Sequence, residues 1–366
     1  MKTLFHNGII HTGTETLHGQ TVLTEDGLIK SILQNDGTGD ADLVDLEGGH
    51  LAPAFIDLQI YGGRGRLFSD HPSVESLKAT YQYCLEGGAA YFQPTMATQT
   101  DTLMDQAIDA VRDYQDQGLK GILGLHLEGP YINPLKRGAH REAYIQKPDP
   151  AKVSALLARA GRHLTMMTLA PERCDAQVIH QLTEAGVVVS AGHTNATYDE
   201  ALVGFTRGIT AATHLFNAMS PLSHRATGMA GALLGKANIP VSIVADGHHV
   251  DFAVIGIAKR LLGEKLFLIT DAVTENSEGS YQHRLDGDMY VLPDGTLSGS
   301  ALTMIQAVKN CVERVGISLS EALRMASLYP ARVMGLDGRL GSIAPGKEAA
   351  LVWFDGNYRV KKVFAP

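Results

Sequence analysis

The chain has 366 residues, 45% of them hydrophobic, enough for a large buried core, and a formal charge of −8. That charge argues against a general nucleic-acid binder or a protein held on acidic membranes, but allows an anionic small molecule gripped by a few local groups. No run approaches eighteen uncharged apolar residues, MKTLFHNGIIHTG lacks the apolar core of a signal peptide, and Cys84, Cys174 and Cys311 form no CxxC pair, so a cytoplasmic enzyme outside any membrane is expected.

Residues 1 to about 50 alternate short apolar runs with turn formers, among them Asn7-Gly8 and Asp26-Gly27. The end of the chain repeats this style, with LVWF and VKKVF around the turn DGN. Two β-rich ends predict one small β domain built from 1–50 and 340–366, with Trp353 and Phe354 in its core.

Between them the pattern changes. Eight apolar, often β-branched segments recur, at 51–60, 89–96, 121–129, 163–172, 187–194, 211–217, 241–249 and 266–273. Helical patterns such as SVESLKATYQYCLEGG and DAQVIHQLTEAG separate most of them. Alternating strands and helices predict an α/β fold, a (β/α)₈ TIM-type barrel over 51–339.

Most segments stay apolar until their last positions. Then come Asp57 and Gln59, His126 and Glu128, Glu172, His193, His214, Asp246 with His248 and His249, and Asp271. The carboxyl ends of barrel strands are where catalytic groups sit. VVVSAGH and ITAATHLFN, joined by a helical ATYDEALVGFTRG, set His193 and His214 at the ends of neighbouring parallel strands. In HLEGP, His126 and Glu128 share a strand face, so an inward Glu128 joins the two imidazoles. Two histidines, a carboxylate and an open position make a catalytic zinc site, in which bound water ionises near neutral pH. The same donors also suit a non-haem Fe(II) oxygenase.

Asp271 ends the eighth segment with no strong helix after it; VTENSEGSYQHRLDG reads as a loop. It is a candidate proton acceptor and donor, with a helix cap as the alternative. Asp57 and Gln59 share a face, where two histidines would hold a second metal; a neutral Gln59 is a poor ligand and is expected only to support one. By themselves Arg225 in SPLSHRATG reads as a solvated loop cation and His140 beside Arg141 equally as a site or a surface residue, only one of His248 and His249 can face the site, and His11, His18, His71 and His283 have no constellation around them.

PAFIDLQIYGG, GLHLEGPYI, SAGHTNAT, THLFNAM, ADGHHVD, LITDAV, GTLSGSALTM and SLYPARVMGL, in this order, resemble the N-acetylglucosamine-6-phosphate deacetylase family of the amidohydrolase superfamily. The resemblance spans essentially the whole chain and implies a metal-dependent barrel with a β-sandwich from both termini. It implies metal ligation by Glu128, His193 and His214, acid/base work by Asp271, and polarisation of the acetamido carbonyl by His140 beside Ala139. It further implies substrate contacts from Asn217, Ala218, His249 and the loop Leu297, Ser298 and Gly299, with Arg225 reaching the phosphate across a homodimer. Many superfamily members carry His-x-His after the first strand. This chain has Asp57-Leu58-Gln59, which resembles the single-metal branch, so one divalent ion, Zn²⁺, is expected. Deacetylation of a phosphorylated amino sugar is the expected reaction; another amidohydrolase reaction and a catalytically silent sugar-phosphate sensor are the alternatives.

Overall fold

The computed structural model describes residues 1–34, 40–236 and 238–365. Eight strands pair in sequence order and all in parallel: β1 (Phe55–Ile60), β2 (Ala89–Ala97), β3 (Leu125–Glu128), β4 (Leu164–Leu169), β5 (Val188–Ala191), β6 (Ala211–Ala212), β7 (Val241–Val244) and β8 (Leu266–Ile269). The ring closes where Asp271 N–H donates to the Gln59 carbonyl at 3.0 Å and Ile60 bridges Ala272 in parallel. The strands read as apolar runs because the ring is covered inside by side chains and outside by helices. Val189, Ile243, Phe267 and Leu268 are all fully buried.

The helices begin where short polar side chains can take the orphan N–H groups of a first turn. Ser73 caps Val74–Glu86, Thr100 caps Asp101–Asp116 and Asp175 caps Ala176–Glu184. Thr197 and Glu200 cap Tyr198–Thr206 reciprocally. Each such cap contributes about 1 kcal/mol. The sixth strand is only two residues long, because His214, Phe216 and Ala218 all take positive φ and turn the chain out of the sheet at once.

Both ends of the chain build two further sheets. One orders Leu28–Leu33, Thr21–Glu25, Lys2–His6 and Asp42–Asp45; the other orders Val360–Phe364, Leu351–Phe354, His50–Pro53, Ile9–His11 and Thr16–His18. They enclose a separate apolar core of Phe5, Ile10, Val22, Ile29, Leu51 and Leu351. Asp26 and Gly27, at φ 51° and 76°, make the tight hairpin between two of these strands.

Three expectations need correction here. The segment 51–60 is two strands: His50–Pro53 pairs with Leu351–Phe354 in the terminal sheet, and only Phe55–Ile60 enters the barrel. Trp353 lies against the small core as expected, but Phe354 belongs to the barrel's core, since neighbouring strand residues face opposite ways. The stretch after Asp271 is not all loop; Arg284–Asp286, Met289–Val291 and Leu297–Ser300 form an antiparallel sheet whose first strand is exposed throughout, so it carries no apolar alternation.

Candidate metal centre and active site

Glu128 is the last residue of β3, and His193 and His214 follow β5 and β6 by two residues each. All three are buried. His214 Nε2 lies 3.0 Å from Glu128 Oε1 and 3.1 Å from His193 Nε2, and His193 Nε2 lies 3.2 Å from Glu128 Oε1. Tetrahedral zinc, with bonds of about 2.0–2.2 Å, sets its ligand atoms about 3.4 Å apart, so these donors need almost no movement to share an ion. The His193 Nδ1–H donates to the Lys136 carbonyl at 2.9 Å, which leaves the Nε2 lone pair facing the cluster. Two imidazole nitrogens and a carboxylate oxygen converging this closely call for a cation between them.

His140 also reaches the cluster. Its Nε2 is 2.9 Å from Glu128 Oε2, and Glu128, His140 and His193 also bring ligand atoms within 4.8 Å of one another. Thr98 anchors the other ring nitrogen, with its backbone N–H 3.2 Å and its Oγ1 2.8 Å from His140 Nδ1. Glu128 therefore turns Oε1 to His193 and His214 and Oε2 to His140. Burial opposes its charge, but the imidazoles of His193 and His140 outweigh burial and hold the carboxyl well below its usual range.

Asp271 stands across the same cavity, at φ 56° just beyond β8. Its Oδ1 accepts a 2.7 Å hydrogen bond from Gln59 Nε2, and its Oδ2 is 4.0 Å from His249 Nε2. Burial raises its pKa, with the neighbouring His214 and His249 opposing. Gln59 Nε2 also lies 2.9 Å from Glu128 Oε1, so one amide ties the proposed ligand to the proposed base. The left-handed backbone at His193, His214, Ala218 and Asp271 is a sparsely populated conformation for these residues, concentrated around this cavity.

The cavity, of roughly 200 Å³, is also lined by Ala139, Asn217, Ala218, Leu297, Ser298 and Gly299. Only glycine fits at 299: its φ is 65°, and an added Cβ would sit 2.4 Å from Val273 Cγ1 and 3.0 Å from the Asp271 carbonyl. His249 lines the cavity with Nδ1 held by Asp246 at 2.6 Å, whereas His248 turns outward to Asp288. Arg225 is exposed on the segment 220–227 and is not among the residues lining the cavity.

Several strand-end residues do other work. His126 lies deeper in the barrel, bonded to the Leu58 carbonyl and Thr168 Oγ1, and burial lowers its pKa to about 4. Glu172 braces Asn133, Thr194 and the Asn195 N–H. Asp57 does not share Gln59's surroundings: its carboxyl accepts from the Thr270 N–H and hydroxyl at the β1–β8 seam, and burial pushes it up to about 7. The pairing of β1 with β2 shifts register between Phe92 and Pro94, which breaks simple alternation there. The residue that joins Gln59 beside Glu128 is Tyr61, two positions further on, which also lines the cavity. Counting by two from Gln59 points to it. His283, bonded to Ser298 Oγ at 2.9 Å, lines the cavity too, and no local pattern signals it.

A model of the amidohydrolase family matches residues 51–365. The chain is 37% identical to N-acetylglucosamine-6-phosphate deacetylase of Haemophilus influenzae, over 98% of this chain and 97% of that one. It is 34% identical to N-acetylgalactosamine-6-phosphate deacetylase of Escherichia coli O157:H7, over 86% of each. The crystal structure of N-acetylglucosamine-6-phosphate deacetylase from Pasteurella multocida superposes with a TM-score of 0.96 at 37% identity, covering 100% of this chain and 98% of that one.

Proposed function

The chain belongs to the amidohydrolase family, and on that premise we propose that it hydrolyses the acetamido group of N-acetylglucosamine 6-phosphate, giving glucosamine 6-phosphate and acetate in amino-sugar catabolism. The observation that carries this reading is the cluster of Glu128, His193 and His214 facing Asp271 across one cavity. We assign one divalent ion, Zn²⁺, to that cluster. When bound there it supplies the Lewis acid that polarises the amide carbonyl and makes water a nucleophile at neutral pH.

The chain's own groups do the rest. Gln59 holds Asp271 Oδ1, which leaves Oδ2 to take a proton from the attacking water. Burial raises the Asp271 pKa toward the range in which a carboxylate both accepts and returns a proton, so the same group then protonates the departing amine. His140 Nε2 meets Glu128 Oε2 in the resting site and turns from it to the carbonyl oxygen as charge develops there. His249, oriented by Asp246, binds the sugar, and the Leu297, Ser298 and Gly299 loop and Ala139 close around it. The backbone at Asn217 and Ala218 meets the phosphate, which Arg225 of a second copy completes in a homodimer. A phosphorylated sugar substrate and three free, buried cysteines go with a cytoplasmic site of action; no helix among the described residues is long and apolar enough to cross a membrane.

Acetate release tests the reading. N-acetylglucosamine 6-phosphate should be turned over, the unphosphorylated sugar far more slowly, and a chelator should abolish both. Equal rates on the two sugars, or indifference to the chelator, would reject it. The galacto epimer belongs in the same assay, because relatives named for that substrate are 34% and 35% identical to this chain.

A further inference from the structure

We propose that Tyr61 is a positioning residue that locks Glu128 so that it presents a single oxygen to the metal. The inference rests on the reading of Glu128 as a ligand. Tyr61 leaves β1 just beyond Ile60 and is buried, and its hydroxyl donates to Glu128 Oε2. His140 Nε2 meets the same oxygen at 2.9 Å. Two donors occupy Oε2, and only Oε1 remains turned toward His193 and His214. Gln59 Nε2 lies 2.8 Å from the Tyr61 oxygen and 2.9 Å from Glu128 Oε1, so the phenol is itself held from behind. The amide nitrogen, with two hydrogens, stands among three acceptors, the third being Asp271 Oδ1 at 2.7 Å. A carboxylate free to rotate would chelate through both oxygens or swing away from the histidines; Tyr61 prevents both. The hydroxyl is donated to a ligand, not to substrate, so its effect passes through Glu128.

Cobalt reports on this directly, because its visible absorption follows coordination. Metal-free wild type, Tyr61→Phe and Glu128→Ala are titrated with Co²⁺, and the metal-free proteins are melted. Tyr61→Phe is expected to bind Co²⁺ about 10- to 100-fold more weakly, with an altered visible spectrum and an unchanged metal-free melting temperature. Wild-type affinity and spectrum in Tyr61→Phe would overturn the proposal. So would weaker binding matched by a lower metal-free melting temperature, since the hydroxyl would then be holding the fold. Glu128→Ala separates the two levels. If it binds Co²⁺ like wild type, the ligand assignment fails; if it loses the metal while Tyr61→Phe is unaffected, only the role of Tyr61 fails.

Discussion

Gln59 and Asp271, 212 positions apart in the chain, are joined by a 2.7 Å hydrogen bond from the amide Nε2 to Oδ1. The contact exists because the first and last barrel strands meet at the seam, where Asp271 N–H also bonds the Gln59 carbonyl. It selects Oδ2 as the free oxygen of the carboxylate, and it places a neutral amide between two buried acids.

Asp271→Asn keeps the shape of this contact and removes the proton acceptor. Turnover of N-acetylglucosamine 6-phosphate should fall by about 10²- to 10⁴-fold. Metal content, measured by elemental analysis, should stay at the wild-type level, because Asp271 is outside the cluster of Glu128, His193 and His214.

The acid limb of kcat/KM reports the pKa of Asp271 in the free enzyme. Burial places it above the ordinary carboxylate range, so activity should fail at a higher pH than a solvated aspartate would set. Gln59→Leu removes a hydrogen bond to the charged form and should move that limb up by about one further pH unit. A pH–rate profile of the variant with an unmoved limb would show that Gln59 does not act on Asp271.

Arg225 does not line its own chain's cavity, and the proposed phosphate contact has it act from a second copy. Arg225→Ala should raise KM for the phosphorylated sugar by about tenfold or more, with little change for the unphosphorylated one. Assayed well below KM, where Arg225→Ala has about a tenth of wild-type activity or less, a mixture of Arg225→Ala and Asp271→Asn subunits should recover about a quarter of wild-type activity, because half the random dimers regain one complete site. No recovery on mixing would place Arg225 in its own subunit's chemistry or in none.

His11, in the terminal sheet, is buried beside His50, and burial first and the His50 charge second lower its pKa from 6.5 to about 4. The folded form therefore binds this proton less tightly than the unfolded form does. The contribution is complete above pH 6.5 and is lost as pH falls toward 4, about 3 kcal/mol at most. His11→Gln should make the fall in melting temperature over that window shallower, as followed by calorimetry.

The barrel was legible from sequence for a local reason. A parallel strand covered on both faces must be apolar along its length, and a helix must begin with a side chain that can satisfy free N–H groups. Both demands are met within a few residues, as at Val189 in β5 and at Thr197 with Glu200 in the helix after it. The histidines and carboxylates stood out because a polar residue at the end of such a strand breaks its apolar run. What sequence left open depends on atoms that are neighbours only after closure. The register shift opposite β1 sends Asp57 to Thr270 and brings Tyr61, not Asp57, beside Gln59. His283 arrives at the cavity only because a sheet with no apolar pattern folds back over the mouth. Which oxygen of Glu128 meets the histidines, and which oxygen of Asp271 stays free, follows from hydrogen bonds spanning 69 and 212 positions. Periodicity along the chain reports which face of an element is buried; it carries no information about the partner waiting there, and that partner was decided by the ring closing on itself.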